Sequence, residues 1–225
     1  MIAFMTSRKM ERKISTFRIL AIFCLTVLIF ILGILASNIT TNIKVTDINK
    51  VQDDLKNELL SMELEDRLLE EVSCSNATEL GSFSGKLNDL ATKLNYLESE
   101  YEKNDPKIIE LKKPYTLLLI RNYLRLRDVV EKCGYDYKII LYFYSNEDDK
   151  IDLCEKQGFV LDYLQKKYGY NYLKVFAFDT GLDLPVVRTL MDISNIEVMP
   201  SLVIDQKLYA GFHEKDEIEG IITAQ

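Results

Sequence analysis

The thiol and imidazole chemistry of this 225-residue chain rests on four cysteines, Cys24, Cys74, Cys133 and Cys154, and one histidine, His213. A thiolate is the nucleophile of disulfide exchange, and its reactivity follows its pKa and its exposure. Cys154 lies among Asp149, Asp152 and Glu155, and nearby negative charge raises a thiol pKa. One histidine and four cysteines rule out a zinc-finger array. His213 has no partner at metal-ligand spacing and reads as a surface or capping residue. The run Glu147-Asp148-Asp149 could attract a cation, but no glycine-containing calcium loop follows it. It reads as a solvated loop. No metal and no cofactor is expected.

The elements that carry these residues begin with a charge asymmetry. Residues 1–36 hold Arg8, Lys9, Arg12, Lys13 and Arg18 against Glu11, a net of +4, and the remainder carries −11. With no tryptophan and a total of −7, the chain lacks the basic footprint of a nucleic-acid binder. Ile19 to Ala36 forms 18 uncharged residues, about 27 Å as a helix and close to a bilayer core. A cleaved signal peptide has a shorter apolar region and a small-residue cleavage site; Ile34 and Leu35 spoil that site. The expectation is a cytoplasmic head (1–18) and an uncleaved signal-anchor (19–36) in the lipid bilayer. The basic residues hold the N-terminus in the cytoplasm and export residues 37–225.

Residues 37–134 read as a helical stalk, with helices over about 44–73, 83–103 and 106–132. In the first, Ile48, Val51, Leu55, Leu59, Met62 and Leu69 recur at helical spacing. In the second, Phe83, Leu87, Leu90, Leu94, Leu97 and Tyr101 keep the spacing of a heptad seam. Asp105-Pro106 starts the third and Gly134 closes it. An antiparallel up-down-up arrangement and a coiled coil joining two copies of the chain are both open. So are a spacer role and a role covering one face of the next domain. Cys74 follows the first helix and Cys133 ends the third. Up-down-up packing brings those ends together, which a structural disulfide needs, and an exported compartment preserves it. The alternative is two free thiols. Asn38-Ile-Thr40 and Asn76-Ala-Thr78 match the glycosylation-acceptor pattern.

Residues 138–225 change character. KIILYFY and LKVFAFD are strand signals, each followed by a helical pattern. SLVI and KLYAG flank a tight Asp205-Gln206 turn before a last helix. The order β-α-β-α-β-β-α implies an α/β domain with parallel pairing and an antiparallel edge. That order, with Ile196-Glu-Val-Met-Pro-Ser-Leu-Val-Ile-Asp-Gln-Lys-Leu-Tyr-Ala-Gly, resembles the thioredoxin-like fold superfamily. There a Val-x-Pro-Thr-like stretch opens the third strand with a cis-proline; Met199-Pro200-Ser201 and Gly211 fill those places here.

The resemblance implies a Cys-x-x-Cys motif at the start of the first helix of this domain. Registering Ile151-Asp-Leu-Cys154 on it retains the second cysteine and replaces the first by Ile151. An isoleucine cannot attack a disulfide, so dithiol exchange through this motif is excluded. Cys154 then reads as a small buried residue, a partner of Cys74 or Cys133, or a single thiol. Three functions follow for a membrane-anchored extracytoplasmic protein. The first is a redox-impaired domain that binds a peptide or partner protein in the groove at Met199, Pro200 and Ile151. The second is thiol-disulfide exchange by Cys154 alone, and the third is a structural coiled-coil tether, homo-oligomeric through the stalk.

Overall fold

The computed structural model describes residues 16–68, 78–101, 105–170 and 172–224, with side chains over 20–34, 48–64, 85–101, 105–170 and 172–224. The basic residues Arg8 to Lys13, Cys74 and Asn76 lie outside the described residues. The chain divides into two compact units, 1–47 and 48–225.

Helix α1 runs unbroken from Thr16 to Leu68. The pause expected over 37–43, between anchor and stalk, is absent, because Ser37 to Asn42 contains no proline or glycine to stop a helix. In the first unit the side chains of Leu20 to Ile34 are exposed on every side, Phe23 and Phe30 among them. Those of Ile19, Leu35 and Ala36 lie outside the described set. Among the described residues no helix is long and apolar enough to cross a membrane.

In the second unit, α2 (Thr78–Glu100) runs antiparallel to the end of α1, with Lys86 paired to Glu58 and Lys93 to Asp54. Helix α3 (Pro106–Cys133) starts at Asp105, whose carboxylate accepts the Lys107 N–H at 2.8 Å. It passes through Pro114 without a break and ends at Gly134, which takes the left-handed φ of 66° that favours glycine. The sheet then follows: β1 (Lys138–Tyr144), α4 (Ile151–Tyr168), β2 (Leu173–Asp179), α5 (Pro185–Ile193), β3 (Ser201–Ile204), β4 (Lys207–Ala210) and α6 (Lys215–Thr223). The strand order is β2-β1-β3-β4. β1 pairs parallel with β2, Tyr144 opposite Asp179, and antiparallel with β3, Phe143 opposite Ser201. Asp205 and Gln206 both have positive φ, the signature of the two-residue hairpin turn between β3 and β4.

Side chains alternate between the two faces of the sheet. Ile140, Tyr142, Leu202 and Ile204 pack with α4 and α6. Leu141, Phe143, Phe176, Phe178 and Val203 pack in one core with α5 and with the buried residues of α1, α2 and α3. The helices before residue 134 therefore furnish a layer of the α/β unit. Ile108, Leu111, Leu118 and Leu126 of α3 are buried in that layer. This mixed four-stranded sheet with its helices is compatible with a thioredoxin-like fold.

Candidate functional site

β1 leaves the sheet where β3 enters it, so both ends converge on one edge of the molecule. The chain continues from Tyr144 through the loop 145–150 into α4. Glu147 C=O accepts the N–H groups of Lys150 and Ile151, each at 2.9 Å, which seats the start of the helix. Ile151 is the first residue of α4 and half-buried, and Cys154 lies one turn further in.

Cys154 is 2% exposed with a free thiol. The Ser145 N–H donates to its Sγ at 3.4 Å, and the Tyr142 hydroxyl donates to its carbonyl oxygen. Burial pushes the thiol pKa up, against the lowering effect of the Ser145 N–H; Asp179 is a carboxylate that adds to the rise. A buried thiol held protonated is a poor nucleophile.

The Met199–Pro200 peptide bond is cis. Pro200 C=O accepts the Gly211 N–H at 2.8 Å, and Ser201 Oγ donates to Val198 C=O at 2.6 Å. Since Ser201 faces Phe143, the register carries Pro200 to the level of Tyr144, beside the loop that leads to Ile151. Met199 packs on the helical core, while Ile193, Val198 and Leu153 are exposed. The structure thus gathers Ile151, Cys154, Met199 and Pro200 at one end of the sheet.

Cys133 is disulfide-bonded and Cys24 is free. His213 N–H donates to Gln157 Oε1 at 2.8 Å, and its Nδ1 lies 2.9 Å from Glu217 Oε1. It joins α4 to the start of α6. Among the described residues no group of three or more His, Cys, Asp or Glu is placed to hold a metal ion.

Sequence reasoning missed the residues that fix Cys154, Ser145 and Tyr142. It also missed Lys112, which is buried between Glu98 and Asp179. The available signal was a lysine four residues after Ile108 on a buried helical stripe, and an aspartate closing an apolar strand.

No protein-family model matches the chain, and no curated protein matches it. Among solved structures, a chloroplastic thioredoxin z is similar at 18% identity and a TM-score of 0.35, over 45% of this chain and 87% of the other. A malarial protein is similar at 19% identity and a TM-score of 0.32, over 39% of this chain and 96% of the other. The likeness to thioredoxin is weak and concerns the fold alone.

Proposed function

We propose that this chain is a membrane-anchored, extracytoplasmic thioredoxin-like binding protein that does not exchange disulfides. One observation carries the redox part. The first turn of α4 presents Ile151 where exchange chemistry needs an exposed thiolate, and the only thiol in that turn, Cys154, is 2% exposed. On this reading Ile151-Asp-Leu-Cys154 is a degenerate Cys-x-x-Cys. The groove at Ile151, Met199 and Pro200 then serves an extended peptide or partner protein.

The anchor reading is supported by the basic head, the uncharged run Ile19 to Ala36, and the apolar side chains exposed all round Leu20 to Ile34. A helix that is apolar on every side needs an apolar surrounding. Within the exported part, the reading includes a structural disulfide between Cys74 and Cys133, supported by the disulfide-bonded state of Cys133.

The test is a thiol assay on the full chain in detergent. Native alkylation at neutral pH followed by mass spectrometry leaves Cys154 unlabelled, and the protein does not reduce insulin. Ile151→Cys creates a pair three residues apart in one helical turn, within disulfide reach, and confers insulin reduction. Rapid labelling of Cys154, or its recovery as a mixed disulfide, overturns the reading in favour of a single-thiol enzyme. Protease treatment of sealed membranes tests orientation: residues 37–225 are cleaved only from the extracytoplasmic side.

A further inference from the structure

A second site opens between the two loops that leave the carboxyl ends of β1 and β2. β1 feeds α4 on one face of the sheet, whereas β2 feeds α5 on the other. Where successive connections part to opposite faces, a crevice is left beyond the strand ends, and this is where open α/β sheets bind ligands. Here it is a cavity of about 430 Å³, walled by α3, by the loop 145–148 and by Asp179 to Leu182.

Its floor is rigid. Lys112 and Asp179 are ion-paired at 3.1 Å, with side chains only 6% and 8% exposed, and Lys112 also pairs with Glu98. Asn146 Nδ2 donates to Asp179 Oδ2 at 2.7 Å and Gly181 N–H to Oδ1 at 2.9 Å. The single ammonium thus faces two carboxylates at the base. Glu147 and Asp148 add two more at the wall, and Lys150 pairs with Glu147 from outside the cavity lining. The lining carries more negative than positive charge, and the Asn146 amide N–H is already turned onto Asp179, while an ionised carboxylate accepts only. Lys112 already spends donors on Glu98 and Asp179.

We propose that this crevice binds an organic cation through an alkylammonium or guanidinium group, carried either by a small amine or by a basic side chain of a peptide. Such a group brings several N–H donors and a second positive charge to a lining in which the three carboxylates of Glu147, Asp148 and Asp179 face one ammonium. The apolar stem that accompanies it has Ile109 and Leu182 to lie against. This site is separate from the thiol chemistry of Cys154 and stands whether or not that thiol reacts.

The experiment is a nitrogen–proton NMR titration of the full chain in detergent with agmatine and with capped Ala-Arg-Ala and Ala-Gln-Ala. Agmatine shifts the amides of residues 146–148 and 181–182 saturably, with a dissociation constant below about 10 mM, the range of a single charged fragment. Asp148→Lys weakens it at least fivefold without lowering Tm. Gly181→Ala also weakens it, because its Cβ lies 3.2 Å from Asp179 Oδ1. Binding of Ala-Arg-Ala but not Ala-Gln-Ala assigns the site to peptides, and binding of agmatine alone assigns it to small amines. No shift at these amides, or shifts that Asp148→Lys leaves unchanged, overturns the proposal.

Discussion

Lys112 is the residue on which two layers meet. Taking an ammonium out of water costs several kcal/mol, and only close carboxylates offset it. Burial alone would lower its pKa, but Asp179 and Glu98 outweigh that and hold it above the usual lysine range. Lys112→Met leaves Asp179 buried with its Asn146 and Gly181 bonds but no counter-charge. We expect a loss of about 3–5 kcal/mol, read by urea denaturation, and much of it returns in the double change with Asp179→Asn. A loss below 1 kcal/mol would mean that the triad behaves as a surface pair. Cys154 and three tyrosines make a second prediction. Burial raises the pKa values of Cys154, Tyr115, Tyr142 and Tyr144. The folded state keeps protons that the unfolded chain gives up at about pH 8.5 for a thiol and about 10 for a phenol. Folding stability is therefore complete below about pH 8.5 and falls as pH rises. Cys154→Ala removes the earliest part of that fall, between about pH 8.5 and 10, and leaves the later part, which denaturation curves at pH 7, 9 and 10 would separate. The role of Lys112 was not legible in sequence, because a pairing between α3 and the end of β2 has no local pattern, whereas a buried Cys154 with a raised thiol pKa was among the readings the sequence offered.

At the scale of elements, periodicity and punctuation carried most of the information. The β-α-β-α-β-β-α order, the Asp105-Pro106 start, the Gly134 stop and the Asp205-Gln206 turn all rest on local chemistry that survives any tertiary arrangement. The heptad seam of α2 was equally visible. The second duty of α3, covering one face of the next domain, was left open in the sequence beside a spacer role, although a sign that favoured it was there. A helix that serves one seam needs a narrow apolar stripe, whereas α3 buries Leu118, Leu119 and Ile120 in succession. Three consecutive buried positions span more than one face, so α3 touches two neighbours. Leu118 is fully buried and should cost about 2–5 kcal/mol when cut to alanine. Leu117 is exposed, and the same change there should stay within about 0.5 kcal/mol. Thermal unfolding of the two variants, compared at equal concentration, gives the check. Similar losses at both positions would show that α3 does not sit on the sheet by this face.

At the scale of the molecule, the question is what folds alone. The residues of the strand-rich region, 138–225, contain every strand among the described residues and the helices α4 to α6, and by sequence they resemble a self-contained domain. In the structure one face of their sheet is closed by α4 and α6, but the other shares its core with α1 to α3. Removing residues 1–137 would bare Leu141, Phe143, Phe176, Phe178 and Val203, with only α5 left above them. A sheet with one uncovered apolar face lacks half of the layered packing that makes a domain stable. A fragment 138–225 is therefore expected to be expanded, to bind hydrophobic dyes and to lose its near-ultraviolet dichroism while keeping secondary structure. A fragment 48–225, which retains the whole core of the second unit, is expected to unfold cooperatively and to give dispersed amide spectra. Between them, 106–225 restores α3 and with it Tyr123, the ring partner of Phe176, but leaves Lys112 without Glu98 of α2. It should fold with a stability intermediate between the two. A cooperative, well-dispersed 138–225 would show instead that the helices are an appendage, and the loss assigned to Leu118→Ala would then vanish with it.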